Sequence, residues 1–192
     1  MAHAAKFALL GLSLLLAACR SDPIHYHTLT PQQPAAASSV DVQLERVTVP
    51  PQVDRPQVVI REGNSGLAIL ETEWWGASLA DELQNALVNQ FATSAAQSHL
   101  SLRVDVQRFD SVPGQYALFD ASWRLRPANG NGNGNGNGDK GGAALTCRSV
   151  IQTPAGASID ELVLAHQQNL KRFTELVSQT ARGGGSRCPA VR

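Results

Sequence analysis

The chain has 192 residues, of which 43 % are hydrophobic, and its 16 basic and 16 acidic side chains give a formal charge of zero. That is enough apolar material for one domain of ordinary size with tails, and too much for a chain disordered throughout. Balanced charge with no run of like sign speaks against nucleic acid as the main partner, because phosphate binding needs a basic excess or patch.

The first element is a signal sequence over residues 1–18. Lys6 gives it a positive start, and the uncharged run from Phe7 to Ala18 is too short to span a bilayer but suits a signal-peptide core. It ends in Leu16-Ala17-Ala18-Cys19, which resembles the bacterial lipobox. There the cysteine thiol is diacylated, the signal is cut off before it, and the new amino terminus is acylated. The alternative is an ordinary secretory signal with an incidental cysteine. Acyl chains contribute about 0.8 kcal/mol per buried methylene, and several together hold a protein on a membrane stably. On the lipobox reading the mature chain begins at Cys19, tethered rather than embedded. Arg20 stands where Asp would retain a lipoprotein in the inner membrane of enteric bacteria, which points to the outer membrane. Cleavage removes one base, Lys6, and no acid, leaving the remainder one charge negative.

Residues 19–39 then comprise the lipidated terminus, a first short strand and a linker, PQQPAAASS. The domain proper spans residues 40–182, and 183–192 form a tail. Val40, Val42 and Leu44 alternate with polar residues, predicting a half-buried strand whose phase changes by Val47, as at a bulge. Gln57 to Arg61 and Leu67 to Leu70 read as a hairpin around Glu62-Gly63-Asn64-Ser65-Gly66. Trp74-Trp75-Gly76 precedes a helix that starts at Ser78 with Asp81 or Glu82 and continues to about Ala96, with Leu79, Leu83, Leu87 and Phe91 on one face. Leu100 to Phe109 and Gln115 to Arg126 alternate as strands about the Pro113-Gly114 turn. Five Asn-Gly pairs, Asn129 to Gly138, read as an expanded hairpin loop, which is tolerated because closure entropy grows only logarithmically with length. Ala143 to Thr153 forms the returning strand. A capping box of Ser158 and Glu161 then opens a long helix ending near Arg182. The fold class is α/β: a single compact domain with a mixed, largely antiparallel sheet flanked by two main helices.

Chemistry is sparse. The sequence has no G-x-S-x-G elbow, P-loop or C-x-x-C, and the Asn-Gly tract lacks the strand-to-helix context and the acidic partner of a G-x-G-x-x-G fingerprint. His25 and His27, two apart on a strand, face one side and could join a metal site. No recognisable Cys, Asp or Glu cluster completes one, so no metal and no cofactor are expected. The plainer reading puts Ile24, Tyr26 and Thr28 on one face and the imidazoles on the other. His166 lies on the apolar side of the last helix and reads as a satisfied core or interface residue. Trp74 and Trp75 read as core residues or as a partner contact. The two cysteines left after cleavage, Cys147 and Cys188, can form a disulfide in an oxidising periplasm, or remain free thiols.

The lipobox is followed by Tyr26 and Leu29, then Val47-Thr48-Val49-Pro50, Asp54-Arg55-Pro56-Gln57, and Trp75 with Leu79. This combination resembles the PqiC (YmbA-like) lipoproteins, auxiliary components of ABC-type or MCE-linked transport systems. Their pattern is Tyr-Tyr-x-Leu, a strand ending in Leu-Pro, Asp-Arg-Pro-Gln-Ile-Val, and a tryptophan opening a helix. Tyr26 matches one tyrosine and His27 stands at the second. The likeness covers about residues 16–182, with the Asn-Gly tract an insertion and the Cys188 tail unmatched. It implies a non-enzymatic, lipid-anchored, periplasm-facing subunit on the outer membrane, working with an MCE-domain protein and an inner-membrane transport component in lipid trafficking and envelope integrity. Homo-oligomerisation stays open. Asp54-Arg55-Pro56-Gln57 is either a stiff strand start, with Arg55 paired to an acid, or a partner contact. The competing reading is a structural or regulatory outer-membrane lipoprotein docking another envelope complex, such as a cell-wall synthase.

Overall fold

Period-two alternation becomes seven strands: β1 His25–His27, β2 Val42–Thr48, β3 Gln57–Glu62, β4 Gly66–Trp75, β5 Leu100–Val112, β6 Tyr116–Pro127 and β7 Leu145–Pro154. The two stretches of helical period become α1, Leu79–Gln90, and α2, Ile159–Arg182. The computed structural model describes residues 22–32, 42–91, 100–127, 144–184 and 187–189. The signal sequence, Cys19, the linker from residue 33, the extension of α1 towards Ala96 and the Asn-Gly tract lie outside them.

The expected α/β domain with two main helices is what forms, and its strands divide into two mixed sheets. One has the order β1-β4-β3 and the other β2-β5-β6-β7. β1 runs parallel to β4, and β2 parallel to β5, while all other pairings are antiparallel. The phase change in β2 is a register shift between Leu44 and Arg46. β4 extends well past the expected Leu70, because its second half gains β1 as a parallel neighbour. Gly114 takes a φ of 71° in the β5–β6 turn, a conformation open to glycine at little cost.

α1 packs on β2, and α2 lies across β6 and β7. Ser78 caps α1, its hydroxyl accepting from Asp81 N, and Ser158 with Glu161 forms the expected capping box on α2. The core of α2 is Leu170, Phe173 and Val177, each fully buried. Phe173 meets Phe119 and Trp123 of β6 edge-on, with ring centroids 5.2 and 6.2 Å away. Buried Asn169 stitches the same helix to the sheet. Its side-chain oxygen accepts from Thr153 Oγ1 at 2.6 Å, and its amide donates to Ala117 O at 2.9 Å. In β6 the expected one-sided burial is exceeded, since Asp120 is also buried. Arg148 of β7 covers it with two bonds of 2.9 and 2.7 Å. The two sheets touch where Arg61 Nε of β3 lies 2.8 Å from Asp110 Oδ1 of β5.

Cys147 of β7 is joined to Cys188, closing a loop with a sequence separation of 41. Cross-linking a loop of that length removes unfolded-chain entropy worth up to about 4 kcal/mol. Cys188→Ser, or reduction of the wild type, is therefore expected to lower the thermal midpoint by several degrees. Scanning calorimetry with and without reductant checks this.

Candidate functional site

The family-motif residues Tyr26, Leu29, Asp54 to Gln57, Trp75 and Leu79 gather at one end of the domain, whereas Cys147 and Cys188 lie on β7 and the tail. β1 lies parallel to the end of β4, with His25 opposite Glu73, Tyr26 opposite Trp74 and His27 opposite Trp75. Side chains alternate across a strand, so the two histidines share a face and Tyr26 takes the other. On the face opposite Tyr26, Glu73 receives both imidazoles. His25 Nδ1 is 3.1 Å from Oε1, and His27 Nε2 is 2.5 Å from Oε2. His27 Nδ1 faces Asp160 Oδ1, in the first turn of α2, at 3.4 Å. Burial pushes the Glu73 carboxyl upwards, but the hydrogen bonds from His27 and His25 outweigh it and hold its pKa below the ordinary carboxylate value. Among the described residues no group of three or more His, Cys, Asp and Glu side chains is arranged to hold a metal ion.

The next two residues are tied down as firmly. Glu82 of α1 is buried, and its Oε2 accepts from Leu29 N at 2.9 Å and from Thr28 Oγ1 at 2.8 Å. Leu29 is wholly buried. Gly76 N donates to His27 O at 2.9 Å, and Gln167 of α2 donates to Thr28 O at 3.0 Å. The short segment 25–29 is thus bound to β4, α1 and α2 at once. Glu82→Ala should leave the Leu29 N–H without its acceptor and cost about 1–3 kcal/mol. The expected readout is faster hydrogen exchange at the Leu29 amide, measured by mass spectrometry.

The Asp54-Arg55-Pro56-Gln57 segment lies beside this end. Asp54 Oδ1 accepts from Ala80 N at 3.2 Å, at the start of α1, and Pro56 O accepts from Trp75 N at 2.6 Å. Gln57 is the register partner of Trp74. Val53 N and Asp54 N both donate to Pro50 O, which closes the preceding turn. Arg55 reads in the sequence either as paired to an acid or as a partner contact. It makes no ion pair among the described residues, and its buried Nε has no hydrogen-bond partner. Its neighbour Asp54 is turned to the helix start instead, where an acid suits the helix dipole. Trp75 is 3 % exposed and sits edge-on to Phe109, and Leu79 is 1 % exposed.

Phe109 in turn stacks on His166 at 3.8 Å, and His166 Nε2 is 2.9 Å from Ser111 Oγ. Ser111 and His166 are 2 % and 1 % exposed, so the pair is sealed in the core. His166 is a core residue as read, but only half satisfied, because among the described residues its Nδ1 has no hydrogen-bond partner. Burial lowers its pKa to about 3. Elsewhere, a groove of about 1160 Å³ lies between the outer strand β7 and the second half of α2, lined by Arg148, Gln152, Arg172, Glu175 and Arg187 among others. Sequence reasoning missed Glu73 and the inward role of Glu82. Both are acids on otherwise ordinary elements, and only the pairing of β1 with β4 reveals their targets.

A model of the ABC-type transport auxiliary lipoprotein component matches residues 27–178, from His27 at the pinned strand to the last turns of α2. The chain belongs to this family. No curated protein matches the sequence significantly. Among solved structures, the fold resembles an uncharacterised protein with a TM-score of 0.63 and 17 % identity, covering 82 % of this chain and 98 % of that one. It also resembles a Xanthomonas campestris protein of the DUF330 family, with a TM-score of 0.58 and 18 % identity, covering 85 % and 96 % of the two chains. These likenesses speak to the fold alone. As a member of the family the protein is a transport auxiliary lipoprotein. Among the described residues no helix is long and apolar enough to cross a membrane.

Proposed function

We propose that the protein is a PqiC-like outer-membrane lipoprotein, anchored through acylated Cys19, that serves as a non-enzymatic docking subunit of an MCE/ABC-type lipid transport system. The observation that carries the reading is the family match over residues 27–178, which begins in the strand nearest the anchor. A subunit of this kind needs a membrane anchor, a short tether and a rigid domain. The lipobox offers the first. The multiply bonded segment 25–29 shortens the second, because only a few residues separate Cys19 from the fixed strand. The groove beside β7, with its three arginines, offers a polar face for a transport partner such as an MCE-domain protein.

Cys19→Ala tests the anchor. Fractionation should find the wild type in the outer membrane, and mass spectrometry should find acyl chains on Cys19. The variant should stay unprocessed, or appear without lipid. Normal processing and localisation of the variant would refute the lipobox reading. The competing reading, a lipoprotein docking a cell-wall synthase, predicts that synthase among the co-purifying proteins rather than a transporter.

A further inference from the structure

The outward face of β1 is turned away from the bonds that pin the strand to α1 and α2. Tyr26 is 67 % exposed and Ile24 43 %. Tyr26 leans edge-on against Trp74, with centroids 6.4 Å apart. The Trp74 indole already donates to Glu71 O at 3.0 Å, so its ring can leave water without orphaning the N–H. An exposed tyrosine leaning on a half-buried tryptophan suits the headgroup layer of a bilayer, where amphipathic aromatic rings concentrate.

We propose that Tyr26, Trp74 and Ile24 form a membrane-contact face that seats the domain against phospholipid headgroups. The proposal rests on the lipid-anchor reading of Cys19, and chain length argues for it. Ile24 lies five positions after Cys19 and Tyr26 seven. At no more than about 3.6 Å per residue, Tyr26 stays within roughly 25 Å of the acylated cysteine. The strand cannot swing clear of the domain, because His27, Thr28 and Leu29 are bonded to β4, α1 and α2. The acid Glu71 is exposed three residues before Trp74. The contact is therefore apolar and aromatic, to uncharged or zwitterionic headgroups, and is insensitive to salt.

The molecule supplies its own reporter. Of its three tryptophans, Trp75 and Trp123 are 3 % and 1 % exposed, which leaves Trp74 as the lipid-accessible one. Acylated full-length protein is reconstituted in vesicles of phosphatidylethanolamine and phosphatidylcholine, with or without bromine on the acyl chains. Emission assigned to Trp74, by difference from Trp74→Phe, should fall at least twofold in brominated vesicles. Tyr26→Ser should weaken that quenching, and raising the salt concentration should not. Acylated, vesicle-bound protein whose Trp74 emission is the same in both vesicles would overturn the proposal while leaving the anchor intact. Mass spectrometry showing no acyl chain on Cys19 would overturn the anchor reading and this proposal with it. Shielding of Trp74 from a soluble quencher only when an envelope protein is added would assign the face to that protein instead.

Discussion

Phe173→Ala is expected to destabilise the domain by about 3–5 kcal/mol, the cost of removing a buried aromatic and leaving a cavity. Phe173 is wholly buried and is the only residue through which α2 makes ring contacts with both Phe119 and Trp123, among the described residues. Its neighbours are fixed strand residues and cannot collapse into the space. Trp123 is further held by its indole N–H, which donates to Ser149 Oγ at 3.0 Å. For a domain of this size the loss corresponds to a fall of roughly 10 °C in the thermal midpoint. Urea unfolding followed by tryptophan emission reads it, since Trp123 lies beside the cavity. A change below about 1 kcal/mol would mean that α2 is not packed as described.

The second large effect depends on pH. His166 has a pKa of about 3 in the folded protein, against 6.5 for the unperturbed side chain, and the cause is burial. The unfolded chain therefore binds a proton that the folded one refuses between those values. Stability contributed by the neutral ring is complete above pH 6.5 and is lost as pH falls from there towards 3, at about 1.4 kcal/mol per unit. His166→Gln can still reach Ser111 but does not titrate. Between pH 6 and 5, where most carboxylates have yet to titrate, the wild type should lose roughly 1 kcal/mol more than this variant. Equal slopes in the two proteins would show that His166 is not the buried neutral group. Ser111 and His166 are both shut off from solvent, and among the described residues the ring's Nδ1 has no hydrogen-bond partner.

Much of the fold was legible because its elements obey a single period over many residues. β5 and β6 alternate over long stretches, and α2 shows both its capping box and its apolar face. The division into two sheets was not legible, since parallel pairing of β1 with β4 and of β2 with β5 joins strands far apart in sequence. No local pattern marks such a partner. The same reason hid the full length of β4, half of which exists as a strand beside β1. At the candidate site, the alternation of Ile24, Tyr26 and Thr28 against His25 and His27 was readable from spacing. The destination of the imidazoles was not, because Glu73 lies in a stretch that reads as the approach to a helix. Glu82 reads in the sequence as part of the helix start signal with Ser78, yet its carboxylate turns to Leu29 and Thr28. Asp54 was legible as part of a motif, but its bond to Ala80 N is a tertiary contact. Of the two readings of Arg55, an acid partner or a partner contact, the first finds no ion pair among the described residues.

The central claim is that this auxiliary lipoprotein works in a lipid transporter. The most direct measurement is affinity capture of the tagged, acylated wild type from gently solubilised native membranes, with Cys19→Ala as the unanchored control. An MCE-domain protein and its inner-membrane component are expected in the wild-type eluate, and their depletion with the variant. Reproducible capture of a cell-wall synthase, with no transport component in either eluate, would contradict it.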